Sequence, residues 1–490
     1  MNFTNNQFLA LQAFIASQPA TLRSLGFVRK KDLRNVRRER AERRRNAEKI
    51  WADAAFDLRQ LFREELDDPL TALKFNRTTA LKLLFNCERR LSSDAKLKEQ
   101  YRNFMTEYLT LQHMQRAPEG TETGPAYYLP HHAVRKRHDP SAKIRVVFNA
   151  SFCTATGQAL NDCLVTGQKL QADLWMVLTR WRLFRIVFTT DIVKMFRQIR
   201  VHPEDARWQS ILWRDTPDDR VQDLRLTTVT YGTACAPFLA LRVLAQLAND
   251  EHRRFPRGAS VVRRHTYVDD ILTGADDVDE TLALKREVVA IFKAGGFELS
   301  KWASNIPEIQ ETDSSDTRLF QEWSGISTLG VNWNPSDDAF SLRVAAAEVV
   351  RERTTKRSIL SEIAGLFDPL GWAAPVLVVA KVLMQDLWML GADWDQQLSE
   401  NVCTTWQRFR GSLARLDALK IPRWTFASSE PSTQMELHGF CDASLRTYAA
   451  AVYLRVKNKG SVRTSLLVVK TKVAPVKTIT IPKLELCGAT

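Results

Sequence analysis

The chain has 490 residues, a hydrophobic fraction of 44%, a charged fraction of 26% and a formal net charge of +14. That composition belongs to an ordinary globular protein with room for roughly two to four domains. Seven scattered cysteines with no Cys-x-x-Cys argue against a disulfide framework and a zinc site, and the basic balance favours a polyanionic partner, because Lys and Arg that neutralise phosphates release counterions.

In chain order, the N-terminus shows no charged-then-apolar signal pattern. Arg29–Arg45 then holds ten Lys or Arg against three acids, half of the formal charge. It reads as a solvated helix or a nucleic-acid arm, ahead of a nuclear address. From Trp51 to Met114 the pattern is helical, with Leu58, Leu61, Phe62 and Leu66, then Leu81, Leu84 and Phe85, at three- and four-residue spacings. Pro118, Gly120, Gly124 and Pro125 mark a loop. Strands are predicted at Ala126–Leu129, Ile144–Phe148 and Ile186–Thr190, and helices at Asp173–Phe184, Ala236–Ala248 and Asp276–Phe292, the last ended by Gly295 and Gly296. Mixed strands and helices along one segment give an α+β fold class. The most apolar stretch, Pro369–Ala380, is too short to span a bilayer and reads as a buried helix. The chain is predicted mostly helical from Thr354 to about Ala418, with Trp388, Trp394 and Trp406 as core or packing residues. Met435–Cys441 and Tyr448–Val456 read as strands.

The sharpest chemical signal is His265-Thr-Tyr-Val-Asp-Asp-Ile-Leu-Thr-Gly274. Apolar, β-branched runs flank Asp269 and Asp270, which predicts a hairpin with both carboxylates at its turn. Adjacent like charges repel, and a divalent cation resolves the repulsion. A second strand, Arg185-Ile-Val-Phe-Thr-Thr-Asp191, ends on a third carboxylate. Three such oxygen donors suit Mg²⁺, and two ions about 3.5–4 Å apart can activate a 3′-hydroxyl and stabilise a leaving pyrophosphate.

These segments resemble motifs of the reverse-transcriptase palm, and the whole pattern is similar to the Pao/BEL group of LTR retrotransposons over roughly residues 75–490. Besides Tyr267-Val-Asp-Asp270, the resemblance rests on Tyr128-Leu-Pro-His-His132, Lys143-Ile-Arg-Val-Val-Phe148, Leu160-Asn-Asp-Cys-Leu164, Thr230-Tyr-Gly-Thr-Ala-Cys-Ala-Pro-Phe238, Gly295-Gly-Phe-Glu-Leu-Ser-Lys-Trp-Ala-Ser304 and Ile363-Ala-Gly-Leu-Phe-Asp-Pro-Leu-Gly371. It implies an RNA-directed DNA polymerase with Asp191, Asp269 and Asp270 as ligands of two Mg²⁺ ions (or Mn²⁺), a primed RNA or DNA template, and deoxynucleoside triphosphates. Lys143 and Arg145 would grip the triphosphate. Phe196 would be the steric gate against a ribose 2′-hydroxyl, with a core aromatic as the plain alternative. Tyr231 and Gly232 stand where many retroviral enzymes have Gln-Gly, and Lys301 would be a general acid for the leaving group. Leu329-Gly-Val-Asn-Trp333 resembles a primer-grip hairpin.

Leu437-His-Gly-Phe-Cys-Asp-Ala-Ser444 and Ile481-Pro-Lys-Leu-Glu-Leu486 resemble the start of a ribonuclease H-like domain, with Asp442 and Glu485 as metal ligands. Thr490 follows Glu485 by five residues, so no ribonuclease H activity is expected of this chain alone. The resemblance implies a right-hand polymerase: a basic leader at 1–60, a helical region at 61–125, fingers and palm at 126–310, thumb and connection at 311–430, and a truncated ribonuclease H-like end at 431–490. A peptidase label often attached to the region around 330–430 in this family finds no Asp-Thr-Gly or Asp-Ser-Gly here. The alternative function is a decayed or co-opted fragment that binds nucleic acid without catalysis. The implied location is a cytoplasmic virus-like particle, with the nucleus as the alternative.

Overall fold

The computed structural model describes residues 76–118, 126–135, 144–310, 326–342 and 353–490. The basic segment 29–45, the apolar positions 58–66 and Lys143 lie outside the described residues. The described chain opens on helices α1 (Arg77–Ser92) and α2 (Ala95–Thr110). Asp94 separates them: its carboxylate accepts the Leu97 amide at 2.9 Å and caps α2. Leu84, Cys87 and Leu91 on α1, and Tyr101, Met105 and Tyr108 on α2, are buried at helical spacing. Short strands β1 (Met114–Arg116), β2 (His131–Val134) and β3 (Arg145–Phe148) follow. Residues 126–129, expected as a strand, form a single bridge from Tyr128 to Ser210 instead. A side chain takes the place of the missing strand: Asn76 accepts the Tyr128 amide at 2.9 Å and donates to its carbonyl at 2.7 Å.

Next come α3 (Leu160–Cys163), α4 (Leu174–Trp181), β4 (Ile186–Ile192), α5 (Met195–Gln198), β5 (Ser210–Trp213) and β6 (Gln222–Leu226). Helices α6 (Ala236–Asp250) and α7 (Pro256–Arg264) each carry proline in the first turn, where no helical hydrogen bond is lost. A hairpin of β7 (Thr266–Tyr267) and β8 (Asp270–Ala275) leads into α8 (Val278–Ala294), capped by the Asp277 carboxylate on the Glu280 amide at 2.8 Å. Strand β9 (Leu299–Ser304), α9 (Pro307–Gln310), β10 (Ile326–Thr328), β11 (Val331–Asn334) and β12 (Ala339–Ser341) continue the chain. The C-terminal part holds α10 (Lys356–Ala364), α11 (Ala374–Met389), α12 (Glu400–Leu413), β13 (Lys420–Pro422), β14 (Gln434–Ala443), β15 (Thr447–Asn458), β16 (Ser461–Val473) and α13 (Ile481–Ala489). No described helix is long and apolar enough to cross a membrane.

The described strands form sheets ordered β7-β8-β4-β9, β1-β6-β5, β2-β3, β10-β11-β12-β13 and β14-β15-β16. In the first, β4 is central and nearly all of its residues are buried, as expected of a strand covered on both faces. Its core takes in Phe188 and Ile192 of β4, Ile271 of β8, Leu239 of α6, Val261 of α7 and Val288 and Phe292 of α8. Two buried arginines tie this sheet to the C-terminal part. Arg423 donates to both Asp338 oxygens at 2.6 and 2.7 Å, and to the carbonyls of Trp181, Phe184 and Arg185 at 3.0, 2.7 and 3.0 Å. Arg182 donates to the carbonyls of Arg423 at 3.1 Å and Leu466 at 2.7 Å. Burial, with Arg423 beside it, lowers the Arg182 pKa to about 9.

Helix α11 lies along β16. Gly371, at φ +76°, approaches so closely that a Cβ would sit 1.9 Å from the Val469 carbonyl oxygen, so a side chain there is excluded. Trp406 is buried, as the sequence suggests. Trp388 is instead 56% exposed, and its ring covers the Lys356 ammonium at 3.6 Å. It is a packing residue outside the core, set edge-on to Trp394 and covering a buried cation.

Candidate active site

The four-stranded sheet brings the three predicted carboxylates to one end. Strand β4 pairs with β8 in a register that sets Asp191 opposite Asp270, and with β9 in one that sets Asp191 opposite Ser300. The Ile192 amide donates to the Asp269 carbonyl at 2.8 Å, fastening the hairpin tip to the end of β4. The turn itself differs from expectation by one position. Tyr267 pairs with Asp270, so Val268 and Asp269 form the turn and Asp270 already belongs to β8. Val268 makes this possible by adopting φ +55°.

Asp191, Asp269 and Asp270 are each partly buried. Burial raises the Asp269 pKa, and the negative charge of Asp191 adds to the rise. Burial first, then Asp269 and Asp191, pushes Asp270 up to about 6. The carboxylates thus repel one another within a shared field, the condition that a hard cation relieves. One counter-charge is supplied by the protein: the Lys301 ammonium donates to Asp191 Oδ2 at 2.7 Å. Among the described residues no group of three or more His, Cys, Asp or Glu side chains is drawn together as metal ligands. The donor chemistry nevertheless fits Mg²⁺, since all three groups offer carboxylate oxygen.

The other predicted residues surround this centre unequally. Arg145 is exposed on β3, and its charge reaches both Asp269 and Tyr231. Phe196, on α5, is partly buried against the main core. Tyr231 donates from its hydroxyl to the Val146 carbonyl at 2.6 Å and accepts from Tyr108 at 3.4 Å. Gly232 has φ +100°, and a Cβ there would lie 2.6 Å from the Phe148 carbonyl oxygen. Both residues of the Tyr-Gly pair therefore press on β3. Leu329, at φ +52°, and Gly330 form the turn of the β10–β11 hairpin, and Trp333 is fully buried edge-on to Trp181. Asp442 and Glu485 are both exposed, on β14 and α13, and these two elements pack together.

The family model described as "Pao retrotransposon-like RNaseH-like domain" matches residues 355–490. This part of the chain is Pao retrotransposon-like. The match agrees with the resemblance read from the sequence. No curated protein matches the chain. Among solved structures it resembles a foamy viral protease-reverse transcriptase dRH in complex with double-stranded DNA, at TM-score 0.52 and 15% identity over 81% of this chain and 59% of that one. It also resembles the foamy viral protease-reverse transcriptase in complex with an RNA/DNA hybrid, at TM-score 0.52 and 14% identity over 81% of this chain and 46% of that one. The chain thus spans 59% and 46% of these two proteins, and the likeness is one of fold: a mixed helix and strand architecture of the retroviral reverse-transcriptase kind.

Residues that the sequence did not single out also shape the site. Glu107 of α2 accepts from Arg197 at 3.0 Å and also binds Lys194, bracing the turn after β4. Asn161, inside the quoted Leu160–Leu164 block, donates to the Gly232 carbonyl at 3.0 Å and accepts the Ala234 amide at 2.7 Å. Its place in that block was the available signal. Glu107 carried none, because its partners are some 90 residues away.

Proposed function

We propose that the chain is the reverse transcriptase of a Pao-type LTR retrotransposon, an RNA-directed DNA polymerase that extends a primer on RNA or DNA with deoxynucleoside triphosphates. One observation carries the reading: Asp191, Asp269 and Asp270 converge on one end of an antiparallel sheet, and two of them have raised proton affinity. In this reading residues 126–310 are fingers and palm, 311–430 thumb and connection, and 431–490 the ribonuclease H-like start carrying Asp442 and Glu485. Two bound Mg²⁺ ions would activate the primer hydroxyl and neutralise the departing pyrophosphate.

The chain's own groups supply the rest. The three aspartates would hold the ions. Lys301, paired with Asp191, stands beside the carboxylates as the group that would give the leaving group its proton. Arg145, with Lys143, binds the triphosphate through charge-assisted hydrogen bonds. Phe196 fills the space that a 2′-hydroxyl would need. Tyr231 and Gly232 support the base pair by packing, since the tyrosine hydroxyl is committed to Val146. The second reading, nucleic-acid binding without catalysis, is favoured by the Lys301–Asp191 pair, which already neutralises one ligand. Primer extension on an RNA template, with Mg²⁺ and with EDTA, separates the two. Mg²⁺-dependent extension supports the polymerase, and template binding without extension supports the alternative.

A further inference from the structure

Strand β7 is the edge of the catalytic sheet, so one row of its backbone groups has no strand beside it. The Thr266 carbonyl belongs to that row, and the Val268 amide follows it at the start of the turn. A single side chain satisfies both: Gln171 Oε1 accepts the Val268 amide at 2.9 Å, and Gln171 Nε2 donates to the Thr266 carbonyl at 3.1 Å. The amide orientation is fixed by its partners, because a backbone N–H can only donate and a carbonyl can only accept. The carboxamide thus acts as a short piece of neighbouring strand.

The turn needs such support. Val268 has φ +55°, and among the described non-glycine residues with positive φ it is the β-branched one. A β-branched side chain disfavours that region strongly. Asp269 is the next residue, and Asp270 begins β8. Gln171 itself stands on a fixed base, two residues before Asp173, which precedes α4 and pairs with Lys169. Helix α4 packs on β7 and β8.

We infer that Gln171 is a positioning residue: its carboxamide clamps the strained Val268 turn and so sets where the Asp269 and Asp270 carboxylates stand. The consequence for catalysis rests on the polymerase reading, whereas the clamp itself does not. Two readouts keep these apart. The first is hydrogen–deuterium exchange of the peptide containing Val268 in metal-free protein. Gln171→Ala should speed exchange there at least about tenfold, with the urea midpoint of the whole chain nearly unchanged. Gln171→Glu, which keeps the acceptor and loses the donor, should give an intermediate rate and guards against a misfolded alanine variant. The second readout is primer extension. Gln171→Ala should lower kcat about tenfold or more while KM for deoxynucleotide changes less than about twofold. Adding Val268→Gly, which favours positive φ without a clamp, should restore part of the loss. Exchange at Val268 equal to wild type in both Gln171 variants overturns the clamp. Faster exchange with unchanged kcat overturns the positioning role. A wild-type chain that does not polymerise refutes the functional reading, and the exchange result then still decides the clamp.

Discussion

Replacing Asp270 with Asn should make the metal-free protein more stable while removing its chemistry. The substitution keeps the shape of the side chain and deletes its charge. Asp270 is pushed up to about 6 from 3.8, first by burial and then by Asp269 and Asp191. At roughly 1.4 kcal/mol for each tenfold change in proton affinity, that rise corresponds to about 3 kcal/mol. The group is partly open to solvent, so screening reduces the figure to about 1–1.5 kcal/mol. The sign follows from linkage. The folded state binds this proton more tightly than the unfolded state, so ionised Asp270 costs stability above pH 6. The cost begins to fade as pH falls through about 6 and is gone only below the unfolded value of 3.8, where the group is protonated in both states. Urea unfolding in EDTA at pH 7.5 and at about pH 3 reads the difference. Asp270→Asn should exceed wild type by about 1–1.5 kcal/mol at pH 7.5, and the gap should nearly close at about pH 3, below the unfolded value of 3.8. An equal or less stable variant at pH 7.5, or a gap independent of pH, would refute the electrostatic account of the site.

Phe196→Ala should lower the preference for deoxy- over ribonucleotides about tenfold, equivalent to ~1.4 kcal/mol of transition-state discrimination, read as the ratio of kcat/KM values. An unchanged ratio with a lower unfolding midpoint returns Phe196 to the core against which it packs. Arg423→Met should destabilise the fold by about 3–5 kcal/mol, because it removes the buried counter-charge of Asp338 and the Arg423 donors to the Trp181 and Phe184 carbonyls, leaving Asp338 only the neutral donors of Trp333 and Asn305. A urea-unfolding loss below about 1 kcal/mol would show that the Arg423 network contributes little.

Much of the secondary structure was legible because local patterns dominate there. Apolar residues at helical spacing marked α1, α2, α6 and α8, and the β-branched runs around Asp191 and Asp270 marked β4 and β8. Errors arose where a distant group decides. Asn76 stands in for a strand partner at Tyr128, and nothing near Tyr128 in the chain announces it. The turn at Val268 sits one residue early because Gln171, 97 residues upstream, holds a valine at positive φ. Trp388 reads as a core or packing residue, and the fold decides for packing: it covers Lys356 from the outside. The order of the candidate site could be read because its carboxylates end two patterned strands. Its bracing by Glu107, Asn161 and Gln171 could not, since each acts through a contact made only by the fold.

The central claim is that Asp191, Asp269 and Asp270 together catalyse nucleotide transfer. The direct measurement is single-turnover primer extension on an RNA template at saturating protein, comparing wild type with Asp269→Asn, with template affinity determined for both. The account predicts Mg²⁺-dependent extension by wild type, a loss of at least about a thousandfold (~4 kcal/mol) in the variant, and equal template binding. Extension by Asp269→Asn at the wild-type rate would contradict it.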